Sequence, residues 1–186
     1  MIDDAEFIRG KVPMTKQEIR VLTLAKARLR SSDIVVDVGA GTGSLSIESA
    51  MQCRRVIAIE RNVEAIDLIT RNSEKFGVGN IEIIRAEAPR GLDRIESIDV
   101  ALIGGSGGRL VDILDALETR LASGGRIVLN CITLQTLSTA LEWFRAREQF
   151  SCEAIQVQIN RLDRIGRLDM MKALNPIFIV DASRRF

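Results

Sequence analysis

The chain has 186 residues, 46% hydrophobic and 27% charged, which fits one ordinary folded domain and excludes a disordered chain. It has no His, no Tyr and one Trp, which excludes imidazole and phenol catalysis as well as His-ligated metal sites. A net charge of +1 supplies no bulk field for nucleic acid or an anionic membrane.

The opening MIDDAEFIRG is acidic and lacks the apolar stretch of a signal peptide. Residues 1–14 read as an irregular arm. T-K-Q-E from Thr15 is a capping-box pattern closed by Glu18, and an amphipathic helix follows to about Leu29 with Ile19, Leu22 and Leu29 on its apolar face. Ile34–Val38 is a β-branched run ending in glycines, a buried strand, and the next helix starts near Ser44. The unit repeats: a strand over Val56–Ile59 ends at Glu60, and a helix over Asn62–Phe76, with Ile66 and Ile69 inward, stops at Gly77 and Gly79. Ile81–Arg85 and Ile98–Ile103 are strands three and four, the latter running into GGSGG. A helix over Arg109–Leu121 closes at Gly124 and Gly125, strand five is Ile127–Leu129, and a helix runs from Thr133 to about Phe150.

This alternation predicts an α/β fold with a doubly wound, mostly parallel sheet. The end breaks the rhythm. Ala154–Ile159 and Ile177–Val180 are two strands without a crossover helix, so a long hairpin places one of them antiparallel. Its connection, RLDRIGRLDMMKALN, exceeds an ordinary hairpin loop and carries Leu162, Ile165, Leu168, Met170 and Met171. We expect it to pack against a neighbouring subunit. No repeat or linker interrupts the chain and no apolar run approaches the ~18 residues of a membrane span. Residues 1–186 therefore read as one domain, with 1–30 as its arm and first helix. Cys53, Cys131 and Cys152 are odd in number and form no CxxC pair, which argues against a disulfide framework or zinc site and for a cytoplasmic location. Cys131 reads as a small buried apolar residue rather than a nucleophile. The excess of Arg (21) over Lys (five) suits bidentate contacts to carboxylates, and equally reflects codon bias.

D-V-G-A-G-T-G, Asp37 to Gly43, lies between a strand and a helix, where glycines let the backbone turn sharply and meet a ligand. A nicotinamide site would need G-x-G-x-x-G and would seat a pyrophosphate on the helix N-terminus. Here the glycines fall at 39, 41 and 43, and Asp37 would repel a phosphate. S-adenosylmethionine, which carries an ammonium and a sulfonium, suits a carboxylate there, directly or through loop amides. Glu60 is placed to accept ribose hydroxyls in either ligand class.

Further segments narrow the reading: P-M-T-K at Pro13–Lys16, E-A-P at Glu87–Pro89, I-G-G-S-G-G at Ile103–Gly108 and N-C-I-T-L at Asn130–Leu134. With the glycine loop they make the chain resemble, nearly end to end, the CbiT family of cobalt-precorrin-6B C(15)-methyltransferases (decarboxylating). The resemblance implies a Rossmann-like methyltransferase sheet with an antiparallel last strand, and a homotetramer. It implies S-adenosylmethionine-dependent methylation of a precorrin at carbon 15 with decarboxylation of the ring acetate at position 12, in cobalamin biosynthesis. A carbon-5 methyltransferase becomes a candidate partner. Carried over by position, Thr15, Gly39, Ala40, Gly41, Thr42, Gly43, Glu60 and Ala88 would contact S-adenosylmethionine, Ala88 through its backbone beside the adenine. The family often has Cys where this chain has Ala40. The implied chemistry suits this composition: an electron-rich bridge carbon attacks an activated methyl without a strong base, and the macrocycle takes up the electrons of decarboxylation.

On the acceptor side, Gly104, Gly105 and Ser106 could form an anion-binding nest with Arg109 nearby, or simply a flexible turn. Asn130 could orient a substrate carboxylate or ring nitrogen, or belong to the start of the next helix with Thr133 as cap. No residue is singled out as catalytic, and no metal site is expected. The alternative, an RNA methyltransferase of the same fold, is disfavoured by the scarcity of aromatic side chains for base stacking.

Overall fold

The computed structural model describes residues 1–185. Five parallel strands come first: β1 (Ile34–Val38), β2 (Arg55–Glu60), β3 (Ile81–Arg85), β4 (Ile98–Ile103) and β5 (Leu121–Cys131). Helix α1 (Gln17–Ala27) precedes β1, and α2 (Ser44–Ala50), α3 (Val63–Phe76) and α4 (Leu110–Glu118) make crossovers. The chain ends with α5 (Leu134–Arg145), β6 (Phe150–Val157), β7 (Asn160–Ile165), β8 (Leu168–Ala173) and β9 (Ile177–Arg184). The main sheet has the order β3-β2-β1-β4-β5-β9-β6, with β9 antiparallel between β5 and β6. This is the Rossmann-like sheet expected from the sequence, antiparallel last strand included.

Both faces of the central strands are covered, which explains why they read as continuous apolar runs rather than alternating ones. Val36, Val38, Ala101, Ile103, Ile127 and Leu129 join a core that contains Trp143, Phe144 and Phe150. The intervening Val35, Val100, Leu102 and Val128 pack with Ile19 and Leu24 of α1 and Leu45 of α2. Asp37 and Asn130 share the parity of this second set, so both project toward the α1–α2 side.

Several expected boundaries move. The Thr15–Glu18 capping box does not form: Lys16 sits at the N-cap without a side-chain bond, and Glu18 pairs instead with Arg161 at 2.7 Å. On α3 the buried face is Ala65, Leu68, Ile69 and Asn72, while Ile66 is half-buried. Helix α4 stops at Glu118, and Leu121 opens β5 although it continues the helical apolar spacing. Gly124 and Gly125 therefore lie inside that strand, where a Cβ on Gly125 would fall 2.7 Å from Leu121 Cγ. Helix α5 ends at Arg145, and Phe150 begins β6, packed tilted against Trp143 and edge-on against Phe144 with ring centroids 5.6 and 5.4 Å away. Strands β7 and β8 form a separate two-stranded ribbon whose residues are almost all exposed, Leu162 at 72% and Met171 at 71%.

Candidate active site

The strand order reverses at β1: the connections run outward through β2 and β3 on one side and through β4 and β5 on the other. Such a switch point leaves a crevice at the C-terminal strand ends. A cleft of about 470 Å³ lies there, lined by the ends of β1, β2, β4 and β5 and walled by Val12–Lys16 of the N-terminal arm. That size suits one cofactor-sized molecule.

The glycine loop is shaped by what it must approach. Gly39 has φ +70°, and a Cβ there would come within 2.6 Å of the Gly105 carbonyl oxygen. Two backbone turns, after β1 and after β4, thus touch directly. Gly41 has φ +57° and backs onto the Pro13 carbonyl, 3.0 Å from where its Cβ would be. Gly43 serves packing: its missing side chain leaves room for Ile69 of α3. Gly39, Ala40 and Gly41 line the cleft together with Thr15, Glu60 and Ala88, whereas Thr42 and Gly43 lie behind it. The Thr42 carbonyl accepts instead from Asn72 Nδ2.

Two carboxylates define the electrostatics. Glu60 Oε2 accepts from the Gly41 amide at 2.9 Å, and Oε1 accepts from the Arg61 and Asn62 amides at 2.8 and 2.9 Å. It fixes the loop and the following turn, and its two oxygens keep lone-pair capacity for a further donor. Asp37 is 1% exposed. One oxygen accepts from Ser46 Oγ at 2.5 Å; the other, Oδ1, has no partner among the described residues. Burial pushes its pKa up to about 6; the Ser46 bond opposes this and the Glu60 charge adds to it. A buried carboxyl with an unused oxygen beside a ligand cleft is a costly arrangement without a cationic partner.

On the acceptor side the turn after β4 differs from a simple nest. The Gly104 and Gly105 amides both donate to the Val38 carbonyl, at 3.0 and 3.3 Å, so neither is free for an anion. Gly104, Gly105 and Ser106 nevertheless line the cleft, but Arg109 does not. Arg109 bonds Asp112 and faces an adjoining depression between the starts of α4 and α5, to which Ser106 also contributes. Asn130 lines the main cleft, its Oδ1 3.0 Å from Thr23 Oγ1, with Nδ2 unpartnered among the described residues. The cap of α5 is Thr133, which accepts from the Thr136 amide at 3.2 Å. Cys131 is fully buried, and burial pushes its thiol up to about 11, so it stays protonated and apolar in character. Val12, Arg61, Asn62 and the exposed Ile132 also line the cleft, brought there by the fold.

The precorrin methyltransferase domain family model matches residues 6–184. The chain is 41% identical over 184 residues to a probable cobalt-precorrin-6B C(15)-methyltransferase (decarboxylating) of Sulfurisphaera tokodaii, covering 96% of this chain and 95% of the relative. Among solved structures, it superposes on a precorrin 8W decarboxylase of Methanobacterium thermoautotrophicum with TM-score 0.93 and 38% identity, covering 97% and 98% of the two chains. A precorrin-6y C5,15-methyltransferase of Geobacter metallireducens gives TM-score 0.92 and 39% identity, covering 98% and 96%.

Proposed function

Since the chain belongs to the precorrin methyltransferase family, we propose that it methylates a precorrin at carbon 15 and removes the ring acetate at position 12 as carbon dioxide, using S-adenosylmethionine in cobalamin biosynthesis. The observation that carries the cofactor assignment is the cleft itself: it is lined by the backbone of Gly39–Gly41, a loop packed so tightly against Gly105 and Pro13 that side chains are excluded at Gly39 and Gly41, with the unused Asp37 oxygen beside it. A phosphate ligand would meet that carboxylate unfavourably, whereas an ammonium complements it.

In this reading Asp37 receives the cofactor's ammonium, Glu60 a ribose hydroxyl, and Gly39–Gly41 with Thr15 and Ala88 shape the pocket. Bound there, S-adenosylmethionine supplies a methyl group activated by a sulfonium. The protein's part is to place an acceptor carbon in line with it and keep water away, a contribution that orientation alone makes large. The turn Gly104–Ser106, Asn130 and the exposed Ile132 at the mouth face the macrocycle. With the Gly104 and Gly105 amides occupied, Ser106 Oγ and Asn130 Nδ2 are the donors we assign to the substrate's carboxylates.

We further read the protein as a cytoplasmic homotetramer. Its three free cysteines suit a reducing compartment, and the ribbon β7–β8 offers exposed apolar side chains for association. The likeness to a solved precorrin-6y C5,15-methyltransferase supports coupling to methylation at carbon 5, for which a separate carbon-5 enzyme is the partner to seek. Labelled S-adenosylmethionine offered with metal-free precorrin-6B, cobalt-precorrin-6B or tRNA tests the assignment. Label in a tetrapyrrole is the expected result; label in tRNA alone would favour the RNA alternative.

A further inference from the structure

An N-terminal arm whose only regular element is one short turn should fray unless something ties it down. Here Phe7 packs against Phe76, with ring centroids 5.0 Å apart, and two fully buried polar side chains hold the backbone on either side of it. Arg20, on α1, spends every nitrogen of its guanidinium on the arm and on α2. Nε donates to Glu48 Oε1 at 3.2 Å, Nη1 to Asp4 Oδ1 at 2.6 Å and to the Thr15 carbonyl at 2.8 Å, and Nη2 to the Ile2 carbonyl. Its guanidinium carbon lies 4.8 Å from the Phe7 ring centre, and Glu48 accepts back from the Ile2 amide. Asn72, on α3, accepts from the Ile8 amide at 2.8 Å and donates to the Ile8 carbonyl at 3.0 Å. Its amide also donates to the Thr42 carbonyl in the glycine loop, at 3.3 Å.

The placement of these ties matters more than their number. Of the wall segment Val12–Lys16, Val12–Met14 lie between Ile8, held by Asn72, and Thr15, held by Arg20. Glu48 belongs to α2, the helix that leaves the glycine loop, and Gly41 touches the Pro13 carbonyl across the seam. We propose that Arg20 and Asn72 are positioning residues for cofactor binding: they set the arm against the glycine loop so that both walls of the cleft form one site. Neither residue lines the cleft. The inference rests on the cofactor assignment above, and it adds that arm and loop bind the cofactor as a unit.

Trypsin on the whole protein, with and without saturating S-adenosylhomocysteine, tests this. The arm carries cleavage sites at Arg9, Lys11 and Lys16, and the exposed ribbon carries control sites at Arg164 and Arg167. Cofactor product should slow arm cleavage at least severalfold and leave ribbon cleavage unchanged. Asn72→Ala, which removes three hydrogen bonds, should raise the KM for S-adenosylmethionine roughly tenfold. Its kcat at saturation should change far less, and its circular dichroism should match wild type. Arg20→Met should raise arm cleavage whether or not ligand is present, and Arg20→Lys should restore part of the protection. The inference is overturned if the ligand binds wild type but slows both sets of sites equally, or if Asn72→Ala keeps the wild-type KM. Failure of wild type to bind S-adenosylhomocysteine at all would remove the cofactor assignment and this inference with it. Should Arg20→Met fail to fold, the Asn72→Ala and wild-type protection results still decide.

Discussion

Asp37 and Glu60 lie at the C-terminal ends of neighbouring parallel strands, Asp37 one residue short of the end of β1, yet do different work. Glu60 takes three backbone amides, so Glu60→Ala frees the Gly41 amide and loosens the loop as well as removing the carboxylate we assign to the cofactor ribose. Calorimetry should show cofactor binding weakened by roughly 1.5–3 kcal/mol, the loss typical of a charged hydrogen-bond partner. Asp37 predicts a pH dependence. Its pKa rises from 3.8 to about 6 on folding, so its ionisation opposes folding. This group's contribution to stability is complete below its unfolded pKa and is lost as pH rises through about 6. Asp37→Asn should therefore stabilise the free protein above that pH, by on the order of 2 to 3 kcal/mol at full ionisation. Cofactor affinity should run the other way, falling in wild type as pH drops below about 6 and losing that step in Asp37→Asn. Thermal melts and titrations across this range check both signs. These two acids were legible because each lies at the C-terminal end of a strand beside a motif. Arg20, Asn72 and Thr23 were not: their partners lie as far as 107 positions away, and nothing local marks them as more than surface polar residues.

Element by element, the central strands and the crossovers were readable because both sheet faces are covered and each strand is an unbroken apolar run. The helix ends were not. Leu121 keeps the 3.6-residue spacing of α4, and only its pairing with Ile98 shows that it belongs to a strand. Phe150 likewise extends the spacing of α5, but the aromatic cluster beneath the sheet holds it in β6. The glycine loop offers a steric test. In Gly41→Val the side chain would meet the Pro13 carbonyl at a backbone angle that branched residues rarely adopt, so calorimetry should detect no cofactor binding. The ribbon offers another. Its five large apolar side chains are 53% to 72% exposed, which a lone hairpin seldom tolerates. Replacing residues 160–173 with a short turn should shift the light-scattering mass toward monomer while the circular dichroism of the sheet persists. A tetramer of unchanged stoichiometry would place the interface elsewhere.

Across the whole molecule, the sheet order brings the loop after β1, Glu60 after β2, the turn after β4 and Asn130 in β5 to one edge. The sequence motifs announced each piece; only the topology says that they share a cleft, and that Arg109 does not enter it. The proposed function puts methyl transfer and decarboxylation in this one cleft, with the cofactor assigned to the β1–β2 half and the macrocycle to the β4–β5 half. The most direct measurement is the ratio of methyl groups transferred to carbon dioxide released, followed in one reaction with precorrin-6B and with its cobalt form. The account predicts one methyl per carbon dioxide on the accepted substrate, with both rates falling together in Glu60→Ala. Methyl transfer with the acetate retained, or carbon dioxide release without S-adenosylmethionine, would contradict it.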